Sequence, residues 1–232
     1  MPVLYLVPNL LSDVEIDQVI PKNVLAIVFQ LKQFIVEDLR NSRRFLSKIR
    51  HPVPIDQLTF HALNEHTGKS EIASLLPFLQ KEDTGIISEC GVPSVADPGA
   101  DLVQLAHENG IKVIPLVGPS SVLLALMASG LNGQSFAFVG YIPVKQNERI
   151  LKLHELEKRS AHLQQTQIFI ETPYRNMQML NDILKNCRPS TRLTIAADIT
   201  GANEFIQTHP IAKWKGKIPD IQKIPTVFLL QA

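Results

Sequence analysis

Short apolar runs with a β character recur along this chain, separated by longer stretches in which apolar residues return at helical spacing. That alternation is the strongest constraint on the fold. Val3 to Val7, Val24 to Phe29, Gly85 to Ser88 and Ile111 to Leu116 read as strands in the first half. Phe34 to Val36 is a shorter apolar piece that stops at Glu37 and Asp38. Phe136 to Val139, Thr166 to Glu171, Arg192 to Ala197 and Pro225 to Leu230 read as strands in the second half. Helical patterns fall between them at Asp38 to Ile49, Glu71 to Leu79 with Ser70 as cap, a stretch that follows Asp97-Pro98-Gly99 and runs to His107, one capped by Ser120 that runs to Met127, Ile150 to Leu163 and Arg175 to Leu184. Strands alternating with helices predict α/β layers.

The chain has 232 residues, enough for two domains of about 110 residues each. Gly118-Pro119 is a sharp break after a predicted strand. It divides the sequence into an N-terminal α/β domain over 1–117 and a C-terminal α/β domain over 118–232. Hydrophobic residues make up 45% of the chain and charged residues 19%, so a buried core is affordable and disorder is excluded. The net charge of +1 provides no global attraction for nucleic acid and leaves room for a local one.

Cys90 and Cys187 are the only cysteines. They form neither a metal-ligand spacing nor a disulfide framework, which suits a reducing, cytoplasmic setting. The apolar start MPVLYLVPNLL lacks a basic stretch and a cleavage site, so it reads as a buried first strand. The longest apolar run, near Val122 to Ala128, is too short to span a membrane.

Several familiar motifs are missing. Gly68-Lys69-Ser70 is not a phosphate-binding loop, because Leu63 stands where a glycine is required. No glycine-rich dinucleotide fingerprint and no nucleophile elbow occur. His61 and His66 have the wrong spacing for one helix face and read as polar surface residues; no metal is expected. Cys90 has no histidine signature beside it and reads as a small buried side chain.

One segment carries more. A predicted strand ends at Ser88, and Glu89-Cys90-Gly91-Val92-Pro93 follows, then Asp97-Pro98-Gly99 ahead of a helix. Ligands of open α/β sheets bind beyond the carboxyl ends of strands. Gly91 permits close backbone approach and Pro93 stiffens the loop. A plain turn before a helix accounts for the spacing equally well.

Ser88 to Gly99 resembles the SDAGTPLISDPG signature of the tetrapyrrole-methylase superfamily, in the form used by its ribosomal-RNA branch, the small-subunit methyltransferase I family. Other resemblances follow in order. Val36 to Arg40 resembles AEDTR, Asn64-Glu65 resembles NE, and Leu116 to Ser121 resembles LPGPSA. Ala128 to Leu131 matches the end of ALSASGL, Gly140 to Pro143 resembles GFLP, and Glu171 to Arg175 resembles ESPHR. Asp198-Ile199-Thr200 is a fainter likeness to ELTK.

This resemblance implies two α/β domains with S-adenosylmethionine held between them, usually in a homodimer. It implies methylation of a ribose 2′-hydroxyl of a cytidine in 16S rRNA, and so a ribosomal RNA or small-subunit partner. By the same resemblance Ser88, Glu89, Gly91, Val92 and Pro93 line the cofactor, with Ser120 near the hinge and Tyr141, Pro143 and Pro173 walling its adenine side. Glu37 and Asp38 are the acidic candidates for a general base; starting the next helix is their other reading. Arg40, Arg43, Asn64 and Arg175 are candidates for meeting the substrate. A solvated helix face and an Arg175–Glu171 pair are the plainer alternatives.

The sequence also departs from the family. After its first strand it reads Val7-Pro8-Asn9-Leu10-Leu11-Ser12-Asp13, where TPIGNL and an acidic residue are expected. Leu39, Glu89, Cys90, Val92 and Gly201 replace a threonine, an aspartate, an alanine, a threonine and a lysine. Methylation of a small tetrapyrrole-like molecule, and a module that binds the cofactor without transfer, remain competing readings.

Overall fold

A computed structural model describes residues 2–64, 66–214 and 216–232. The chain divides into two compact units, Met1–Ser120 and Ser121–Ala232.

The first unit contains five strands: β1 (Val3–Val7), β2 (Gln33–Val36), β3 (Thr59–Ala62), β4 (Thr84–Ile87) and β5 (Lys112–Pro115). Its helices are α1 (Ile16–Val19), α2 (Lys22–Val28), α3 (Leu39–Lys48), α4 (Lys69–Ser74), α5 (Leu76–Lys81) and α6 (Gly99–Glu108). The sheet runs in the order β3-β2-β4-β1-β5 with every pairing parallel. Helices on both faces bury it, so β2 and β4 are apolar along nearly their whole length. Val7, Phe34 and Val36 pack with Val24, Val28, Phe45 and Leu46 on one face. Leu4, Ile35 and Ile86 pack with Ile72, Leu79, Leu102 and Ala106 on the other.

The second unit holds α7 (Ser121–Ser129), β6 (Phe136–Tyr141), α8 (Gln146–Leu163), β7 (Thr166–Ile170), α9 (Asn176–Asn186), β8 (Arg192–Ala197), β9 (Phe205–Pro210), α10 (Ile211–Trp214) and β10 (Thr226–Gln231). Its sheet has the order β6-β7-β10-β8-β9. Only β6 and β7 are parallel; the other neighbours are antiparallel. The core gathers Leu153, Leu156, Phe169, Ile183, Phe228 and the buried Trp214.

The α/β alternation read from the sequence is present, with corrections. Val24 to Phe29 is not a strand but lies in α2. The i, i+4 pair Val24 and Val28 faces the core, and a short apolar run does not distinguish a strand from a buried helical turn by itself. The expected helix over Glu71 to Leu79 is two helices, because Pro77 at the start of α5 offers no N–H to continue α4. Gly68, not Ser70, stands at the N-cap of α4. Sequence reading also misses β3 and β9. Both are edge strands with mixed polarity, Thr-Phe-His-Ala and Phe-Ile-Gln-Thr-His-Pro, and Pro210 closes β9 where it has no ladder bond to donate.

Candidate functional site

From β1 the chain moves to β2 and β3 on one side of the sheet; from β4 it moves to β5 on the other. β4 therefore forms, with each of its neighbours β1 and β2, a pair at which the winding direction reverses. In open parallel sheets the crevice beyond the carboxyl ends of such a pair is where ligands bind. Val7 and Ile87, the last residues of β1 and β4, are paired in register. Immediately beyond them lie Pro8-Asn9 and Ser88-Glu89-Cys90-Gly91.

Asn9 binds these two loops together. Its Nδ2 donates to Ser88 O at 3.1 Å and to Glu89 O at 3.0 Å. Its backbone N–H donates to Gly91 O at 2.7 Å, and its Oδ1 accepts from Leu10 N at 2.8 Å. Asn9 and Ser88 are both buried. Gly91 has φ +73, and a Cβ there would lie 3.1 Å from Leu11 Cδ2. The position therefore combines a left-handed backbone with a close approach, both of which favour glycine.

A trans peptide points its N–H opposite to its C=O. With the carbonyls of Ser88, Glu89 and Gly91 turned onto Asn9, the N–H groups of Glu89, Cys90 and Val92 point away from it. Glu89 N donates to Glu37 Oε2 at 3.1 Å. The N–H groups of Cys90 and Val92 have no acceptor among the described residues. Farther along, Asp97 Oδ1 accepts from Ser94 N at 2.8 Å and from Gly99 N at 2.9 Å, fastening the loop to the start of α6. Ser94 Oγ and Asp97 Oδ2 are buried without a partner. Such atoms can pair with water or with a polar group of a ligand. A depression beside it is lined by Glu37, Leu63, Ser88, Asp97, Pro98 and Gly99.

The other loops of the first unit meet the same sheet edge. Glu37 and Asp38 follow β2, Asn64 follows β3, and Ser120 lies beyond β5. Glu37 is half-buried and tied to the 88–91 loop by the bond just described. Asp38 caps α3, its Oδ1 accepting from Asn41 N at 2.6 Å. Asn41 Nδ2 in turn donates to Glu89 Oε1 at 3.0 Å. Asn64 shapes a tight turn: its N–H donates to Thr67 Oγ1, and its Oδ1 accepts from His66 N. Glu65 lies outside the described residues. Val92 is half-buried, Pro93 buried and Ser120 half-buried.

Arg40, Arg43 and Arg44 project from α3 as exposed side chains, and the Arg43 guanidinium lies 5.4 Å from the centre of the Phe60 ring. Two readings are corrected here. Cys90 is exposed rather than buried, although its Sγ lies 3.7 Å from Leu11 O. His61 is no surface histidine: it sits on β3 with its ring centre 3.9 Å from that of Phe78, and its Nε2 is buried without a partner.

The second unit brings Tyr141, Pro143, Pro173 and Arg175 together at the carboxyl ends of β6 and β7, where Tyr141 pairs in register with Ile170. Tyr141 is 58% exposed, so its ring is not part of the core. Gly140, at φ +70, accompanies a register shift between Phe138 and Tyr141. Behind this turn Arg149 is buried and bonded to Val144 O at 2.5 Å and to Asp182 Oδ2 at 2.6 Å. Arg175 Nη2 meets the buried Glu171 Oε1 at 2.6 Å, the plainer alternative anticipated for it. Pro173 opens a short 3₁₀ turn, and its carbonyl accepts from Lys223 N at 3.0 Å.

Sequence reading misses Asn9 and Arg149. An asparagine directly after a strand was the available signal for the first. Nothing in the local pattern around Arg149, in a charged helix, marks it as buried.

The fold and the loops beyond the reversal point define a class, two-part α/β proteins whose first unit is a parallel sheet with a ligand-binding loop at its reversal point. Among solved structures the methyltransferase CobJ superposes with a TM-score of 0.65 over 100% of this chain and 94% of its own, at 14% identity, a likeness of fold. No protein-family model matches the chain. Curated relatives are more specific. The ribosomal RNA small subunit methyltransferase I of Vibrio cholerae is 33% identical over 213 residues, 91% of this chain and 70% of that protein. Its namesake in Pasteurella multocida is 31% identical over 233 residues, 99% of this chain and 79% of that protein. The chain belongs to the ribosomal RNA small subunit methyltransferase I family.

Proposed function

We propose that this protein transfers a methyl group from S-adenosylmethionine to a ribose 2′-hydroxyl of small-subunit ribosomal RNA, acting in the cytoplasm as a homodimer. The observation that carries the reading is the 33% identity over 91% of the chain to a ribosomal RNA small subunit methyltransferase I. The loop at the β1–β4 reversal point supports it, since that loop presents unpaired N–H groups and buried polar atoms to a ligand.

In this reading Ser88, Glu89, Gly91, Val92 and Pro93 hold the methionine and ribose part of the donor, with Ser120 nearby at the hinge formed by Gly118-Pro119. Tyr141, Pro143 and Pro173 wall the adenine. The donor supplies an activated methyl group on a sulfonium. The chain's own work is to align the acceptor hydroxyl with that methyl and to take up the hydroxyl proton. Glu37 is the base, held in place by Glu89 N–H, and Asp38 fixes the start of α3 beside it. The bond from the ribose oxygen to the methyl carbon forms as the sulfur–carbon bond breaks, and S-adenosylhomocysteine leaves. Arg40 and Arg43 meet RNA phosphates, a role for which exposed arginines suit. Asn64 and Arg175 border the acceptor.

The test is calorimetric titration of the purified protein with S-adenosylmethionine and S-adenosylhomocysteine. Saturable binding of both, lost in Gly91→Trp, is expected. Folded wild-type protein that binds neither contradicts the reading.

A further inference from the structure

We infer that Asn9 is the positioning residue of the donor-binding loop, setting the backbone of residues 88–92 so that the Cys90 and Val92 N–H groups face the ligand. The inference rests on the proposal that this loop holds S-adenosylmethionine.

Three of the loop's carbonyls could turn toward solvent or ligand: Ser88, Glu89 and Gly91. All three are instead drawn onto one residue. Asn9 Nδ2 takes the first two at 3.1 and 3.0 Å, and Asn9 N–H takes the third at 2.7 Å. The side chain supplies both donors of its amide, and the remaining amide oxygen is occupied by Leu10 N at 2.8 Å, so the head group cannot flip without losing all three bonds. Planarity of the peptide then dictates the other side of the loop. Every carbonyl that points to Asn9 sends the next N–H away from it. One of those, Glu89 N–H, is taken by Glu37 at 3.1 Å. The other two, on Cys90 and Val92, have no acceptor among the described residues and are left for an oxygen of the ligand.

Glycine at 91 makes this possible, since the loop enters a left-handed conformation between the two free N–H groups. Successive amides around such a residue form a concave donor site for oxygen acceptors. Asn9 thus determines which way the donors face without touching the ligand itself. It also couples the loop to Glu37: the same peptide plane gives its carbonyl to Asn9 and its N–H to Glu37. A shift of Asn9 moves the donor site and the proposed base together.

The experiment measures S-adenosylhomocysteine binding by calorimetry for wild type, Asn9→Ala, Asn9→Ser and Asn9→Asp, with thermal unfolding of each. Loss of both side-chain donors is expected to weaken binding about 10- to 100-fold in Asn9→Ala, at a stoichiometry still near one. Asn9→Ser, with one hydroxyl donor, falls between. Asn9→Asp places a carboxylate against two carbonyl oxygens at neutral pH and regains a single O–H donor when protonated. Its affinity relative to Asn9→Ala therefore rises as pH falls, a signature that a general loss of stability does not produce. Folded variants that bind as wild type does overturn the inference, as does loss of folding in all three with unaltered affinity in the fraction that folds. Absence of binding by folded wild type instead removes the donor-loop reading on which the inference stands.

Discussion

Replacing Arg149 by methionine tests how the turn at 141–144 is held. Arg149 is 1% exposed, and its Nε and Nη2 lie 2.8 and 2.6 Å from Asp182 Oδ2. Its Nη1 lies 2.5 Å from Val144 O. Among the described residues Asp182 keeps one other side-chain donor, Gln146 Nε2 at 2.9 Å. Arg149→Met fills the space of the side chain but leaves a buried carboxylate without its counter-charge, which costs about 3–5 kcal/mol. Arg149→Met/Asp182→Leu removes both charges. What remains is chiefly the abandoned Val144 carbonyl, a cost of about 1–3 kcal/mol, so the double variant is the more stable of the two. Urea unfolding followed through Trp214, the sole tryptophan, reads the core of this unit directly. A single variant within about 1 kcal/mol of wild type, or a double variant no better than the single, refutes the argument that a buried ion pair anchors this turn.

Three further outcomes follow from the first unit. A Cβ on Gly118 would lie 2.1 Å from Pro8 Cβ, and the Pro8 ring cannot rotate aside, so Gly118→Ala loses about 1–3 kcal/mol in thermal or urea unfolding; an unchanged midpoint contradicts this packing. Glu37→Gln keeps an oxygen to accept from Glu89 N–H but removes the proposed base. It should lower methyl transfer about 10²- to 10⁴-fold while S-adenosylhomocysteine binding stays as in wild type; full activity would make Glu37 a loop support only. Burial holds the His61 imidazole below the usual histidine range, so the unfolded chain binds the proton more readily than the folded one. His61 therefore costs the fold nothing above the unfolded value near pH 6.5 and costs stability as pH falls below it, and His61→Phe should flatten that acid-side slope in unfolding curves measured from about pH 7.5 to 5. A slope identical in the variant would assign it to other groups.

Much of this was legible in residue order. Strands buried on both faces show no polar alternation, as in Gly85 to Ile87 within β4, and the loop beyond it carries its glycine and prolines in plain sight. Those same rules fail where tertiary contacts decide. Val24 to Phe29 has the composition of a strand, yet its Val24–Val28 pair faces a core that a helix covers better. β3 and β9 alternate weakly because edge strands meet solvent along one side. In the candidate site, the loop residues could be picked out, but the direction of each peptide could not. That direction depends on Asn9, some 80 positions away in sequence, through bonds that no local pattern encodes. Asp38 illustrates the reverse: its helix-starting alternative was readable from its place before an amphipathic helix, and its side chain does cap α3.

The most direct measurement is transfer of labelled methyl from S-adenosylmethionine to small ribosomal subunits isolated from cells that lack this enzyme, followed by alkaline hydrolysis of the RNA. The account predicts label in small-subunit RNA, recovered in an alkali-resistant dinucleotide because a 2′-O-methyl group blocks cleavage at its own phosphate. Wild-type protein that binds the donor, leaves these subunits unlabelled and methylates a tetrapyrrole-like small molecule instead would contradict it.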